Sequence, residues 1–298
     1  MLCVADTIGL VVERERYSDW MDQLQWYCQS CHNITTQHKF HCNDLGSDLV
    51  PLIKSYYSDV EQRTCQSCGT IDQPPTKHDS DHILQIIQNN KSNDDSKESN
   101  DSVEQHDSSS AINNSTHPYP FLLQHWIDTH RHLLRPPVGN AMMYGTGAQF
   151  KIMIIGGPNI RTDYHIEAGE ELFWQLQGDM ILKINNGGTF QDIHINEGEM
   201  FLLPPYVPHS PQRGEGSIGL VIERERLSDE IDAIRWYCPN TQCRQILYTF
   251  SFYCADLGTQ LKPLIQTWYS DEWSDKRVCQ KCGSRDEKPT TTKLDRLQ

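Results

Sequence analysis

One stretch of this chain occurs twice. Residues 8–68 and 218–282 are copies of each other. IGLVVERER at 8–16 returns as IGLVIERER at 218–226, and QWYC ending at Cys28 returns as RWYC ending at Cys238. DLGSDLVPLIKSYYSD matches DLGTQLKPLIQTWYSD, and RTCQSCG matches RVCQKCG. Two small insertions separate the copies, both in the second. Two units so far apart cannot stack as a solenoid, which needs a longer contiguous array. The repeat therefore reads as a duplicated segment, and the architecture has to come from what lies between the copies.

That intervening stretch begins with a boundary. Residues from about Lys77 to Thr116 are rich in Ser, Asn, Asp and Gln, with one apolar interruption at 83–87. Such a segment cannot bury enough apolar surface to offset its ordering entropy, and it reads as a disordered acidic linker. It accounts for the low mean hydropathy of -0.62 and the 37 % hydrophobic content of the 298 residues. Order returns at His117. FLLQHWIDTHRHLL puts Leu122, Trp126, Ile127, His130 and Leu133 on one helical face, and Pro136–Pro137 ends it. Short strands follow at 149–155, 171–177, 179–185, 199–203 and 218–224, separated by glycine-containing turns such as EAGE, QGD, NNGG and NEGE. Closely spaced strands with glycine turns predict a mainly β fold, an antiparallel sandwich or barrel with short flanking helices.

Among those strands and turns sits one set of metal-ligand residue types. His165 and Glu171 flank a glycine turn, and His209 follows the proline-rich LLPPYVP, which restricts the backbone ahead of it. Any one of thirteen histidines would ordinarily be a surface or core residue. The joint spacing H-x5-E-x6-G and G-x5-P-x4-H, with Gly178 and Gly198 at the turns, is the two-part pattern of the cupin barrel, a double-stranded β-helix or jelly roll. Glu170 is the competing carboxylate, and Glu171 has the better spacing to Gly178. Two imidazoles and one carboxylate suit a non-haem Fe(II) with open positions.

The narrower motifs GGPN-x-R-x-D-Y-H-I-E-x-G-E-E, FLLPP-x-V-P-H-S-P-Q-R and GLV-x-E-R resemble the 3-hydroxyanthranilate 3,4-dioxygenase family, from about residue 119 to the C-terminus. The resemblance implies a ring-opening dioxygenase of the kynurenine route to quinolinate and NAD, acting on 3-hydroxyanthranilate and O2. It implies that His165, Glu171 and His209 hold the catalytic Fe(2+), with Glu171 also touching substrate. Arg161, four residues before His165, and Arg213, four after His209, match substrate-binding positions, and Arg161 also borders the O2 site. A planar guanidinium suits a carboxylated substrate because it binds in two-point fashion. Asn140 in PPVGN matches a pocket position, and Glu223 matches a proton acceptor or hydrogen-bond anchor for the substrate hydroxyl. Barrels of this family commonly pair through their sheets, so a homodimer is expected.

The cysteines form the second constellation. Eleven could suggest disulfides and secretion, but most come as close pairs, which read as metal ligands in a reducing, cytoplasmic compartment. Cys238-x4-Cys243 and Cys279-x2-Cys282 suit a structural all-thiolate site for Fe or Zn. Some family members carry a rubredoxin-like iron site here, normally with C-x2-C first, so the x4 spacing departs from that pattern. The first copy keeps C-x2-C at both ends, in Cys28/Cys31 and Cys65/Cys68, a duplicate structural site. Cys42 and Cys254 belong to neither set and suit small buried positions.

These readings divide the chain. Residues 1–75 hold a duplicate of the last barrel strand with a four-cysteine module, 76–116 the linker, 117–226 the catalytic barrel, and 227–298 the second four-cysteine segment. The strand at 8–14 could compete for the slot of 218–224. Loop closure favours the local strand by roughly 2–3 kcal/mol, so 218–224 is expected in the barrel, with Glu13, the match of Glu223, idle. The net charge of -14 argues against a nucleic-acid partner. No apolar run is long enough for a membrane span, and MLCVADTIGLVVERER lacks the features of a secretory signal. Other metal-dependent cupin oxygenases or isomerases, and a non-enzymatic metal-binding module, are the alternative readings.

Overall fold

The computed structural model describes residues 8–74, 120–134, 139–144 and 148–289. The expected linker at 76–116 lies wholly outside the described residues, as do Pro136–Pro137. The chain forms two compact units, residues 1–106 and 107–298.

In the first unit, β1 (Asp22–Tyr27) and β2 (Ile34–Phe40) make an antiparallel hairpin with a bulge at Trp26/Tyr27. α1 (Leu45–Ser58) follows, its first turn capped by the Asp44 carboxylate accepting from the Gly46 amide. The short α2 (Val60–Arg63) is capped the same way by Asp59. Tyr56 is fully buried and stacks on Trp26 with centroids 4.2 Å apart. Residues 8–16 form no strand, and Ile8, Leu10 and Val11 are exposed. The strand expected at 8–14 is therefore absent. A β-strand needs a ladder partner, and among the described residues β1 and β2 pair only with each other.

The second unit is mainly β. After α3 (Leu123–His130), which buries Trp126 and Ile127, come β3 (Gly139–Met142), β4 (Phe150–Gly156), β5 (Asp163–Ile166), β6 (Glu171–Gln177) and β7 (Met180–Asn186). Then follow β8 (Thr189–Ile195), β9 (Met200–Leu203), β10 (His209–Arg213), β11 (Ile218–Arg224), β12 (Asp232–Tyr237) and β13 (Ile246–Phe252). They build a six-stranded sheet in the order β13-β12-β5-β10-β7-β8 and a five-stranded sheet in the order β3-β4-β11-β6-β9. Met153, Phe173 and Val221 of one sheet pack with Leu182, Ile184 and Ile195 of the other in a single core. This is the cupin barrel. The predicted turn glycines Gly178 and Gly198 both adopt positive φ, 63° and 86°, a region that favours glycine.

Strand β11 lies between β4 and β6 with seven and six residues in register, so 218–224 fills the slot the repeat put in competition. The segment after it does not leave the barrel. β12 pairs with β5 and β13 inside the six-stranded sheet, so the expected boundary at 226/227 falls in a loop between two barrel strands. α4 (Leu257–Trp268) then packs Leu261 and Trp268 against Ile234 and Trp236 of β12. The order β12, β13, α4 repeats β1, β2, α1, with Asp256 capping α4 through the Gly258 amide as Asp44 caps α1.

Candidate active site

Strand register assembles the site. His209 opens β10 and pairs directly with His165 on β5, so the two imidazoles arise side by side on the six-stranded sheet. Glu171 opens β6 on the five-stranded sheet and pairs with Glu223 on β11. All four side chains are at least nine-tenths buried. Donor atoms of His165, Glu171 and His209 lie within 4.8 Å of one another. Glu171 Oε1 stands 3.0 Å from His209 Nε2 and 3.5 Å from His165 Nδ1, without the alignment of a hydrogen bond to either. The competing Glu170 is exposed.

The outer nitrogens of both rings are occupied. His165 Nε2 donates to Asp232 Oδ2 at 2.7 Å, and His209 Nδ1 donates to the Val207 carbonyl at 3.1 Å. Carboxylate and carbonyl can only accept, so each ring carries a proton outward and turns its other nitrogen toward Glu171. Burial alone would lower His165, but Asp232 and Glu171 outweigh it and raise it to about 9. The same carboxylates favour any positive charge there, proton or metal. Burial opposes ionisation of Glu171, but His209 and its other neighbours hold it well below the usual carboxylate range. Two inward ring nitrogens and a carboxylate oxygen with no hydrogen bond fit a divalent cation, which would displace the inner proton of His165.

Behind the triad lies a buried charge network. Arg226 reaches Asp232 Oδ2 at 2.8 Å, Glu223 Oε2 at 2.7 Å and Glu167 Oε2 at 2.6 Å. Burial pushes the Asp232 carboxyl up, but hydrogen bonds from His165 and Arg226 hold it down at about 2. Burial raises Glu223, opposed by Arg226, and Glu223 Oε1 keeps no hydrogen-bond partner.

The triad borders a cavity shared with Asn140 on β3, Arg161 and Arg213. Arg213 is 1 % exposed. Its Nη1 donates to Gln175 Oε1 at 2.9 Å, while Nε and Nη2 have no partner. Burial lowers it to about 10. Gly219 makes room for it, since a Cβ there would stand 2.4 Å from Arg213 Nη1. Arg161 differs from the expectation of a free fork. Its Nε and Nη2 both bond the Asp163 carboxylate, two residues away, whereas Nε and Nη2 of Arg213 stay open. Glu223 borders an adjoining cavity, with a carboxylate oxygen within 4.8 Å of those of Glu171 and Glu167.

Both four-cysteine sets come together. Cys238, Cys243, Cys279 and Cys282 form one cluster, and Cys28, Cys31, Cys65 and Cys68 the other, each with sulfurs within 4.8 Å. Cys42 and Cys254 are buried outside them.

A profile of the family described as 3-hydroxyanthranilic acid dioxygenase matches residues 2–57 and 117–269. The chain belongs to this family. A protein named 3-hydroxyanthranilate 3,4-dioxygenase from Xanthomonas campestris pv. campestris is 52 % identical over 164 residues, covering 55 % of this chain and 90 % of that protein. One of the same name from Mycosarcoma maydis is 46 % identical over 171 residues, covering 56 % of this chain and 93 % of its own length. Among solved structures, a cupin-2 domain protein from Shewanella frigidimarina matches with a TM-score of 0.27 and 18 % identity, over 33 % of this chain and 92 % of its own. Nearly a whole dioxygenase-family protein thus corresponds to little more than half of this chain.

The motifs of the dioxygenase family pointed to the candidate ligands but not to Asp232, Arg226, Glu167 or Gln175. One signal was available. Arg226 and Asp232 recur in the first copy as Arg16 and Asp22, which form an ion pair of 3.0 Å. α4 also supplies Leu257 and Leu261 to the cavity, so the segment expected to be purely structural walls the site.

Proposed function

We propose that the chain is a ring-opening dioxygenase that converts 3-hydroxyanthranilate and O2 to 2-amino-3-carboxymuconate semialdehyde, which closes to quinolinate on the route to NAD. The observation that carries this reading is Arg213, a buried guanidinium with two unpartnered donors in the cavity of the His165–Glu171–His209 triad. A buried cation with unused donors favours an anion, and the substrate is a carboxylate.

His165, Glu171 and His209 would hold Fe(2+), which when bound supplies a Lewis acid and a redox centre for the reaction of the ring with O2. Arg213 Nε and Nη2 bind the carboxylate and fix the ring's orientation, with Gln175 holding the remaining nitrogen in place. Arg161, tied to Asp163, and Asn140 shape the cavity, Arg161 toward the O2 side. Glu223 Oε1 accepts the proton of the substrate hydroxyl, while Arg226 on Oε2 keeps the carboxylate from rotating away. Both oxygen atoms enter the product as the C3–C4 bond breaks, so no external reductant is consumed.

The Cys238, Cys243, Cys279 and Cys282 cluster takes Fe or Zn in a structural role. Unpaired thiols throughout the described residues support a reducing, cytoplasmic setting. No helix among the described residues is long and apolar enough to cross a membrane. We assign the enzyme a homodimeric state on the pairing habit of its family.

The test is aerobic turnover after Fe(2+) loading, followed by the transient absorbance of the ring-opened product. Full iron occupancy without turnover would favour a binding module. A Glu171→Ala variant that kept both iron and activity would overturn the ligand assignment.

A further inference from the structure

We propose that Cys28, Cys31, Cys65 and Cys68 form a separate tetrathiolate metal site, and that a thiophilic divalent cation bound there supplies folding free energy to the N-terminal unit. The proposal is independent of the dioxygenase reading.

The sulfur geometry comes first. Cys28 Sγ and Cys68 Sγ stand 3.5 Å apart, and Cys31 Sγ and Cys65 Sγ 3.6 Å. A disulfide brings sulfurs to about 2.05 Å. A tetrahedron of metal–sulfur bonds of ~2.3 Å places its sulfurs about 3.8 Å apart. The observed spacing belongs to the second case.

The backbone around the sulfurs is built in matched halves. In each C-x2-C turn the carbonyl of the first cysteine accepts from the amide four residues on, His32 to Cys28 at 2.9 Å and Gly69 to Cys65 at 2.8 Å. That fourth residue has positive φ in both, 60° at His32 and 73° at Gly69. Each first cysteine donates its own amide across the turn, to Asn33 and Thr70, at 2.8 Å. The Ser30 amide also points at Cys28 Sγ, at 3.4 Å. The C-terminal set keeps this turn only at its second pair, where Gly283 donates to Cys279 at 2.8 Å. At its first pair the inserted residues redirect the Arg244 amide to Asn240.

The unit's small core says what the cation does. The buried apolar residues of the first copy are Cys28, Cys42, Tyr56 and Cys65. Its only sheet among the described residues is the two-stranded β1–β2 hairpin. In the second copy the same sequence pairs β12 to β5 and buries Ile234 and Leu261 to 0 % and 2 % exposure. Their counterparts Leu24 and Leu49 stay half-buried. A hairpin and two helices with so little core are marginal in water, and a metal cross-link between residues 28 and 68 is the device that stabilises domains of this size.

The test uses the full chain, stripped and then titrated with Co(II) and with Zn(II) under reducing conditions. Tetrahedral cobalt–thiolate absorption should saturate at two equivalents in the wild type. Cys65→Ser/Cys68→Ser should lose one equivalent and keep dioxygenase turnover, and Cys279→Ser/Cys282→Ser should lose the other. Limited proteolysis read by mass spectrometry should show cuts within residues 22–72 in the stripped chain and protection after Zn(II) is restored. A Cys65→Ser/Cys68→Ser variant that still binds two thiolate equivalents overturns the site. Equal protection of residues 22–72 with and without metal overturns its folding role.

Discussion

Asp232→Asn isolates one hydrogen bond that orients His165, a proposed metal ligand. Asp232 Oδ2 accepts from His165 Nε2 at 2.7 Å, and both side chains are essentially sealed from solvent. Asparagine keeps the volume but removes the charge that holds the ring proton on the outer nitrogen. A hydrogen bond to a charged partner contributes about 1.5–3 kcal/mol. Loss of such a support behind a ligating histidine costs roughly 10–100-fold in metal affinity. At about 1.4 kcal/mol per decade these two estimates agree. Arg226 would still hold Glu223 and Glu167, so the barrel should stay folded. The assay is anaerobic Fe(2+) competition against a chelating dye, with both four-cysteine clusters preloaded. The expected result is a dissociation constant raised by about 10–100-fold, with turnover recovering as iron is added and the substrate KM near the wild-type value. The repeat provides the control, because Asp22 occupies the matching position and pairs with Arg16. Iron affinity within about threefold of wild type in Asp232→Asn would refute the reasoning, as would an equal loss in Asp22→Asn.

Three further outcomes follow from the same geometry. Arg213→Met should leave iron binding intact and raise the KM for 3-hydroxyanthranilate by about 10–100-fold, the loss of charge-assisted hydrogen bonds to a carboxylate, measured by steady-state kinetics. Glu223→Gln should lower kcat by about 10²–10⁴ with iron content unchanged, since it removes a proton acceptor but no ligand. Leu182→Ala, at a site with 0 % exposure between the sheets, should cost about 2–5 kcal/mol in denaturant unfolding of the barrel.

How much of this was legible in sequence follows from how each feature is encoded. Five strands with an apolar face and glycine turns could be read, and the β4, β6, β7, β9 and β11 strands lie within a residue of where they were expected. β5 and β10 were missed because they are short and carry His, Asp, Gln and Arg in place of alternating apolar residues. They are polar because they line the site, so function masked the strand signal. The boundary at 226 was misread for a related reason. In the sequence β12 lies inside the repeated segment, ahead of the cysteine pairs, and only its register with β5 reveals it as a barrel strand. Arg161 and Arg213 look equivalent by their spacing to the two histidines. Asp163, two residues after Arg161, occupies one of them, and Gln175 thirty-eight residues before Arg213 leaves most of the other open.

The repeat separates motif from function more directly. Glu13, Arg16 and Asp22 reproduce Glu223, Arg226 and Asp232, and even the pairing survives, with Arg16 bound to both Glu13 and Asp22. In the first copy these side chains are 20 to 38 % exposed, where solvent screens such pairs and they direct nothing. In the second the matching side chains are 0 % exposed, and Asp232 acts on His165 of β5. The difference is a strand partner. β12 lies against β5 in the barrel, whereas β1 pairs only with β2 among the described residues. Burial, supplied by that one ladder, turns an ordinary surface ion pair into the support of His165, a proposed metal ligand. The four cysteines of the first copy need no barrel to meet, because each C-x2-C turn closes on its own backbone. Duplication of this segment could therefore carry over a thiolate site intact while leaving catalysis with the copy that has strands to pair with.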